Sequence, residues 1–267
     1  DYYNKVRRFS QKRIKDEILY LAEKSKSKTV CLADSNFGTY KQDIEVCKVM
    51  AQTSKTHGFP MALEGINGKN KPERVLEATQ IIGHTFFMAA IQSSNDDVLK
   101  NIKRKNISGQ AMLDVVNKAK ERAQTSTSFS ELIIGLPGET KESHFKSNGD
   151  LLDARIDVIR SHQLIMLPAS PLAYKESRIK HGLLCKYRVV PETVDAYKIF
   201  GEEFYAPEID EICVANKTLT FDDYVECRKF DLTIETFYNN GIFEDLINLL
   251  KKNGVKISSF VFNIHEK

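Results

Sequence analysis

Short apolar runs alternate with amphipathic segments through the first two thirds of the chain. The apolar runs have the length of β-strands and cover residues 29–33, 59–63, 84–92, 129–135 and 156–167. The segments between them show helical spacing of apolar positions and cover residues 10–25, 40–57, 72–82, 96–103, 109–123 and 141–154. Short apolar strands alternating with helices predict a parallel sheet with helices packed on its faces, an α/β fold.

The alternation ends near residue 175. Beyond it the sequence predicts a helix over residues 192–205, a short strand within 209–219, and helices over 221–239 and 242–252. We therefore expect two parts: an α/β part over residues 1–175, and a mostly helical C-terminal extension over residues 176–267.

Composition narrows the classes of protein. The 267 residues are 42% hydrophobic and 28% charged, and no run of about 18 apolar residues is present, which excludes a membrane-spanning helix. The net charge of +3 is too small to indicate nucleic acid binding. Residues 1–30 are basic and residues 207–245 are acidic, which indicates two solvated faces or a contact that serves assembly.

The chain contains five cysteines, and their positions are Cys31, Cys47, Cys185, Cys213 and Cys227. None forms a C-x-x-C pair, which excludes a local zinc or iron–sulfur motif, so no residue is assigned to a metal. We expect reduced thiols in a cytoplasmic protein, with Cys31 in the core.

Polar and glycine residues follow the predicted strands directly. They occupy positions 34–38, 64–68, 92–95, 135–140 and 168–171. In parallel α/β folds, ligands bind at the carboxyl ends of the strands. The sequence therefore predicts a binding site at this edge of the sheet.

The segment Gly135-Leu-Pro-Gly-Glu-Thr140 places two glycines at a strand-to-helix turn, where a backbone can approach a ligand closely. Thr140 is suited to cap the following helix. The carboxylate of Glu131 on the preceding strand is able to accept hydrogen bonds from a ribose diol. The alternatives are a generic turn and a surface charge at Glu131.

Gln92 and Arg104 form a second candidate pair. The Gln92 amide, at a strand end, is able to donate to and accept from a sugar hydroxyl, and Arg104 is able to hold a carboxylate with two hydrogen bonds. The alternative for residues 103–105 is a solvated basic face. His162 is expected in the core or in a supporting role beside the site rather than in catalysis.

These motifs together resemble a known family. The pattern Gln-Ser-x-x-Asp-x-x-Val-Leu-x-x-x-x-Arg over residues 92–104, followed by the 131–140 segment, is similar to the radical S-adenosylmethionine enzymes. The nearest group includes oxygen-independent coproporphyrinogen oxidase and the methylthiotransferases. Residues 4–9, 34–38 and 167–168 resemble the cobalamin-binding members more narrowly, so the resemblance spans about residues 4–240.

The resemblance implies a fold and a cofactor site. The fold is a partial (β/α) barrel lacking its first strand, followed by the C-terminal helical extension. S-Adenosylmethionine would lie across the strand ends, with Gln92 and Glu131 on the ribose and Arg104 on the methionine carboxylate. Gly135 would line the cofactor.

The resemblance also implies roles for two further segments. The strand end at 163–168 would pack near the adenine, and Asp34 begins a segment that would contact the methionine amine or the substrate. The residues so assigned are Leu164, Met166 and Leu167 near the adenine, and Asp34, Ser35 and Asn36 at the amine or substrate.

The cysteines that ligate the family's [4Fe–4S] cluster, spaced C-x-x-x-C-x-x-C, do not occur in the sequence. The resemblance therefore implies a chain that starts just after the cluster loop and lacks an upstream cobalamin domain. We expect the full-length protein to be a radical enzyme acting on a small molecule, reduced by flavodoxin or ferredoxin, and this chain alone to be inactive. Its other partners would be its own upstream segments, not nucleic acid or membrane.

Two other functions remain open at this point. One is a conventional (β/α)-barrel enzyme on a phosphorylated metabolite, with the Gly135–Thr140 turn as the anion site and Lys103 or Arg104 assisting. The other is a non-catalytic barrel fragment whose basic and acidic ends serve assembly. It predicts that Gln92, Arg104 and Glu131 do not converge on one cavity.

Overall fold

The computed structural model describes residues 7–34, 37–67, 72–83, 85–88, 91–103 and 127–267. The chain divides into two compact units. The first comprises residues 1–90, 107–130 and 156–158, and the second comprises residues 91–106, 131–155 and 159–267. The predicted division at residue 175 stays a prediction, and the predicted helix over 109–123 lies outside the described residues.

The first unit alternates helices and strands in the predicted order. Its elements are α1 (Gln11–Lys24), β1 (Thr29–Cys31), α2 (Lys41–His57), β2 (Ala62–Asn67), α3 (Pro72–Ile82) and β3 (Thr85–Met88). β1 pairs with β2, β2 with β3, and β3 with the first half of β4 (Thr127–Ile134), all in parallel. This arrangement confirms the parallel α/β architecture.

Local signals in the sequence set these helix boundaries. The Ser10 hydroxyl accepts from the Arg13 N–H at 3.2 Å and starts α1. Gly58 ends α2 in the left-handed region, at φ +63°, which glycine adopts without strain. Ile44, Cys47 and Met50 on the inner face of α2 are buried in the core of this unit.

Strand β1 differs from its prediction. Its residues are exposed, half-buried and exposed in turn, so the expected burial on both faces is wrong, and Cys31 is exposed rather than in the core. Among the described residues β1 pairs only with β2 and stands at the end of the strand order. In the described part of the sheet, β1 is therefore an edge strand, and Val30 is its half-buried residue.

The second unit contains the remaining elements. They are α4 (Asp96–Asn101), the second half of β4, α5 (Lys141–Asp153), β5 (Val158–Gln163, from Ile159), α6 (Lys175–His181), β6 (Leu184–Val189), β7 (Asp195–Ile199), β8 (Glu202–Ala206), β9 (Ile209–Ala215), α7 (Phe221–Ile234), a π-helical turn (Glu235–Asn239), α8 (Glu244–Lys252) and α9 (Ile257–His265). β4 neighbours β5, while β6 pairs antiparallel with β9 and β7 with β8. α5, α7 and α9 pack together through Phe145, Phe230 and Phe262, with ring centroids 4.3–6.1 Å apart.

The helix predicted over residues 192–205 is wrong, because this segment is the β7–β8 hairpin. Ile199 pairs with Glu202, so Phe200 and Gly201 form a two-residue loop. Both loop residues have positive φ, 53° and 85°, which is the geometry of the tight turn that suits the twist of a hairpin. The strand predicted within 209–219 and the helices predicted over 221–239 and 242–252 are confirmed.

Candidate functional site

Gln92 is held by its backbone against β4. Its N–H donates to the Glu131 carbonyl at 3.0 Å, and its own carbonyl accepts from the Ile133 N–H at 2.9 Å. Its φ is +58°, a region in which a residue other than glycine is strained by about 1–3 kcal/mol. The side chain is buried. The strain is tolerated because two strand hydrogen bonds fix the residue at the end of the strand-like segment before α4.

Glu131 lies on the open face of β4. Residues along this strand alternate between buried and half-buried, and Glu131 belongs to the half-buried set while Ser130 and Leu132 are buried on the other face. Its Oε1 lies 3.1 Å from Nε2 of His162 on β5. The Glu131 side chain is 30% exposed and the His162 side chain is 52% exposed. The core position considered for His162 is therefore wrong, and its contact with Glu131 matches the supporting role.

A carboxylate within the turn after β4 accepts a hydrogen bond from the backbone of the same turn. Gly135 N–H donates to Oε2 of Glu139 at 2.7 Å, and Glu139 is fully buried. Gly135 has φ +93°, and a Cβ at this position would lie 3.1 Å from the Cys213 carbonyl oxygen. Glycine is therefore required here by the packing of the turn against β9 as well as by its backbone conformation.

The carbonyl groups of the same turn are also bonded within the unit. Asn216 Nδ2 donates to the carbonyls of Gly135 and Leu136, at 3.3 and 3.0 Å. Asn101 Nδ2 donates to the Pro137 carbonyl at 3.0 Å. A phosphate placed at this turn would meet the buried Glu139 carboxylate, and the Gly135 N–H is already bonded. The structure thus argues against the anion-site alternative.

Glu139 is the first of a series of neighbouring buried charged side chains. Its Oε1 lies 3.5 Å from Nδ1 of His144, an ion-pair distance that is too long for a good hydrogen bond. His144 Nε2 lies 2.8 Å from Oδ1 of Asp231 on α7. Burial alone lowers the pKa of His144, but Asp231 and Glu139 outweigh it and raise the pKa to about 9. The imidazole is therefore protonated at neutral pH and joins two carboxylates.

The same series of charged side chains continues through Arg228 to β5. Arg228 Nη1 donates to Asp231 Oδ2 at 3.0 Å and to the Ser161 carbonyl at 3.2 Å. Ser161 directly precedes His162, the partner of Glu131. Alternating charges thus connect the glycine turn with the strand that holds His162. Local signals in the sequence do not reveal this series of charges, because His144 and Asp231 are 87 residues apart.

Met166 and Leu167 lie beyond the end of β5 and differ in exposure. Met166 is buried in a cluster with Val98, Leu136, Leu164 and Cys213. Leu167 is 59% exposed. Of these two residues assigned to the adenine surroundings, Leu167 alone presents a side chain that a ligand is able to contact without rearrangement.

The segment that follows β1 belongs to the first unit. Asp34 is exposed, and its carbonyl accepts from the Phe37 N–H at 3.3 Å. Asp43, which is buried, accepts from the N–H groups of Gly38 and Tyr40 at 3.0 and 2.9 Å. The assignments to Ser35, Asn36 and Arg104 lie outside the described residues. The convergence of Gln92, Arg104 and Glu131 on one cavity therefore stays a prediction.

No group of three or more His, Cys, Asp or Glu residues suited to a metal ion occurs in the parts of the chain that the structure describes. The same parts contain no helix that is both long and apolar enough to cross a membrane. Together with the missing C-x-x-x-C-x-x-C motif, the donor set does not fit an iron–sulfur cluster. Glu131 fits a different group, since a half-exposed carboxylate is a natural acceptor for a sugar diol.

Comparison with known proteins gives consistent matches. No family model matches the chain. It is 28% identical over 96% of its length to the cobalamin-dependent radical SAM methyltransferase TokK of Streptomyces tokunonensis, covering 37% of that protein. It is 28% identical over 91% of its length to the 2-(S-pantetheinyl)-carbapenam-3-carboxylate methyltransferase of Streptantibioticus cattleyicolor, covering 35% of it. The chain thus spans little more than a third of these relatives.

A solved structure has a similar fold. The radical S-adenosylmethionine methyltransferase TsrM of Kitasatospora setae superposes with a TM-score of 0.51 at 14% identity, over 68% of this chain and 33% of that one. The chain therefore has the fold of a radical S-adenosylmethionine enzyme. Both relatives are methyltransferases, and TokK is cobalamin-dependent, which agrees with the narrower resemblance to the cobalamin-binding members.

Proposed function

We propose that this chain is the part of a cobalamin-dependent radical S-adenosylmethionine enzyme that binds S-adenosylmethionine. The full enzyme would modify a small molecule. The observation that carries the proposal is the match to TokK over 96% of the chain. The partly exposed Glu131 carboxylate on the open face of the parallel strand β4 supports it, because such a carboxylate is able to accept hydrogen bonds from a ribose diol.

Glu131 is the residue that we assign to the ribose of S-adenosylmethionine. His162 uses one of its carboxylate oxygens, at 3.1 Å, and this contact orients the carboxylate on the open face of β4. The other oxygen is then available to a ribose hydroxyl. Gln92, whose backbone is bonded to β4, is assigned to the same sugar, and the Gly135 turn to one wall of the site.

The remaining assignments complete the cofactor site. Arg104 would hold the methionine carboxylate, Leu167 would contact the adenine with Met166 behind it, and the segment 34–36 would contact the amine end or the substrate. When bound and reductively cleaved, S-adenosylmethionine supplies a 5′-deoxyadenosyl radical. The part of that chemistry proposed for this chain is binding and orientation of the nucleoside.

The residues of this chain do not fit the [4Fe–4S] cluster, so its ligands and the cobalamin site are proposed to come from other segments of the same protein. The electron donor is proposed to be a flavodoxin or ferredoxin, and the location the cytoplasm. Both relatives are methyltransferases, and TokK is cobalamin-dependent. We propose methyl transfer as the reaction class here.

Binding of S-adenosylhomocysteine to the chain tests this proposal. Equilibrium dialysis or calorimetry should show saturable binding, and Glu131→Ala should weaken it at least tenfold, about 1.4 kcal/mol. Glu244→Gln, an exposed carboxylate on α8, is the matched control and should leave affinity unchanged. Equal affinities for wild type and Glu131→Ala would contradict the assignment.

A further inference from the structure

Cys185 and Cys213 stand directly opposite each other in the antiparallel pair formed by β6 and β9. The register of this pair also places Lys186 opposite Ile212 and Tyr187 opposite Glu211. Both cysteines are reduced in the structure. Their positions therefore make a cross-strand thiol pair.

The backbone hydrogen bonds of β9 define the type of this pair. The Cys213 N–H donates to the Leu164 carbonyl at 2.9 Å, and the Glu211 carbonyl accepts from the Met166 N–H at 2.8 Å. Residues 211 and 213 thus direct their polar backbone groups away from β6. Cys185 and Cys213 are consequently a non-hydrogen-bonded pair, in which Cα atoms are about 4.5 Å apart and side chains are closest. That separation falls inside the range spanned by disulfides, about 4.4–6.8 Å.

The two thiols differ in accessibility. Cys213 is fully buried, and Cys185 is half-buried. Burial raises the pKa of Cys213 to about 12, and Cys185 contributes to the increase. Burial also raises the pKa of Cys185, while Arg178 opposes this increase and Glu211 adds to it. An oxidant therefore reaches Cys185 first, and its reaction is slow at neutral pH because the thiolate is the nucleophile.

We propose that Cys185 and Cys213 form a reversible dithiol–disulfide site that accepts a two-electron oxidant of the peroxide class. The Cys185 sulfur attacks the O–O bond of hydrogen peroxide, giving a sulfenic acid and one water. The Cys213 sulfur then displaces the hydroxyl group, which leaves as a second water with the Cys213 proton. Two thiols are oxidised to one disulfide, and one peroxide is reduced to two waters.

The disulfide would form next to the Gly135 turn of the candidate site. The Cys213 carbonyl oxygen lies 3.1 Å from the position of a Cβ on Gly135, and the Cys213 N–H is bonded to Leu164. The bond would also close the segment that contains the β7–β8 hairpin. Oxidation should therefore slow proteolysis within residues 195–206 and raise the unfolding temperature.

The test uses the 267-residue chain with Cys31→Ser, which removes an exposed thiol and leaves four cysteines. After reduction and removal of the reductant, the protein is treated with hydrogen peroxide, denatured, alkylated with N-ethylmaleimide and analysed by mass spectrometry. The result expected is the loss of two alkylatable thiols, a peptide pair joined through Cys185 and Cys213, and full recovery with dithiothreitol.

Cys185→Ser is the matched variant, because the half-buried position tolerates serine more readily than buried Cys213. It should retain all three of its remaining thiols under the same treatment. Three results would overturn the proposal: no loss of thiols in the parent, oxidation of Cys185 to sulfinic acid with Cys213 still free, or joined peptides that involve Cys47 or Cys227.

Discussion

Two strand-to-helix turns in this molecule, residues 37–43 and 135–144, contain the same type of hydrogen bond between a backbone N–H and a buried carboxylate. In each, a buried carboxylate in or just before the first turn of the following helix accepts the N–H of a glycine. In the first unit the carboxylate is Asp43, and in the second it is Glu139. Both turns follow strands whose ends the sequence assigned to the cofactor site.

The two turns differ in the cation that balances the carboxylate. Asp43 pairs with Arg8 at 2.9 Å, and the Arg8 side chain is 32% exposed. Glu139 lies 3.5 Å from His144, which is fully buried and bridges to Asp231. A guanidinium stays charged at any pH that a protein tolerates, whereas an imidazole does not. We therefore expect the carboxylate to stabilise each turn and the cation to determine whether that stability depends on pH.

The largest effect is expected at the buried pair. Glu139→Ala leaves the Gly135 N–H without its acceptor and removes one of the two carboxylates around His144. Breaking a buried pair from one side costs about 3–5 kcal/mol of unfolding free energy. Urea denaturation measures this, with Glu45→Ala as control, since Glu45 is exposed and pairs with Lys48 in a surface contact. A loss below about 1 kcal/mol, the range of surface pairs, would show that Glu139 does not stabilise the turn.

The pH dependence of stability distinguishes the two turns most clearly. The pKa of His144 is raised to about 9 in the folded chain, above its ordinary value of 6.5. Its contribution is therefore complete below pH 6.5 and is lost as pH rises through about 9. At 1.36 kcal/mol per pKa unit, the loss is on the order of 3 kcal/mol.

Urea denaturation of wild type and His144→Asn from pH 6 to pH 10 measures this contribution as a difference. The wild type should lose stability relative to the variant as pH rises, because Glu139 and Asp231 then face a neutral ring. A constant difference across that range would mean that His144 does not carry the charge.

Arg8→Ala should have a smaller effect, about 1–2 kcal/mol, because Arg8 is partly solvated and Asp43 keeps two N–H donors. The cost should be the same at pH 6.5 and pH 9. Thermal unfolding at both values is sufficient, and Arg8→Lys should restore part of the stability. A cost that changes between these two pH values would remove the contrast between the turns.

The smallest effect concerns the helix start that follows the second turn. The Thr140 hydroxyl accepts from the Ser143 N–H at 3.1 Å, and Ser143 Oγ accepts from the Thr140 N–H at 2.9 Å. Thr140→Ala should cost about 1 kcal/mol, the usual value of such a cap. Thr140→Ser keeps the oxygen and should stay close to wild type. Equal losses in the two variants would assign the effect to the methyl group instead.

Features that depend on neighbouring residues were predictable from the sequence. Ser10 and Thr140 start helices as expected, because a cap needs only residues within one turn. The same local patterns placed Gln92 at a strand end and Glu131 on the strand before the glycine turn. The hairpin at 195–206 was missed although Phe200-Gly201 carries a turn signal, since its alternating residues are exposed on both faces.

Features that depend on distant residues were not predictable. The sequence identified the glycine turn but gave no sign that Asp231 would reach His144 across 87 positions. Asn216 meets Gly135 over a separation of 81 positions. Cys31 shows the opposite error, because an apolar strand was read as buried, and its exposure depends on which strands lie beside it.

The central claim is that Glu131 binds the ribose hydroxyls of the cofactor. The most direct test measures affinities of 5′-deoxyadenosine and its 2′- and 3′-deoxy analogues for wild type and Glu131→Ala. We expect the loss of one hydroxyl to weaken binding to the wild type at least tenfold, about 1.4 kcal/mol, and to leave binding to the variant nearly unchanged. Equal losses in both proteins would contradict the claim, because the hydroxyl and Glu131 would then act independently.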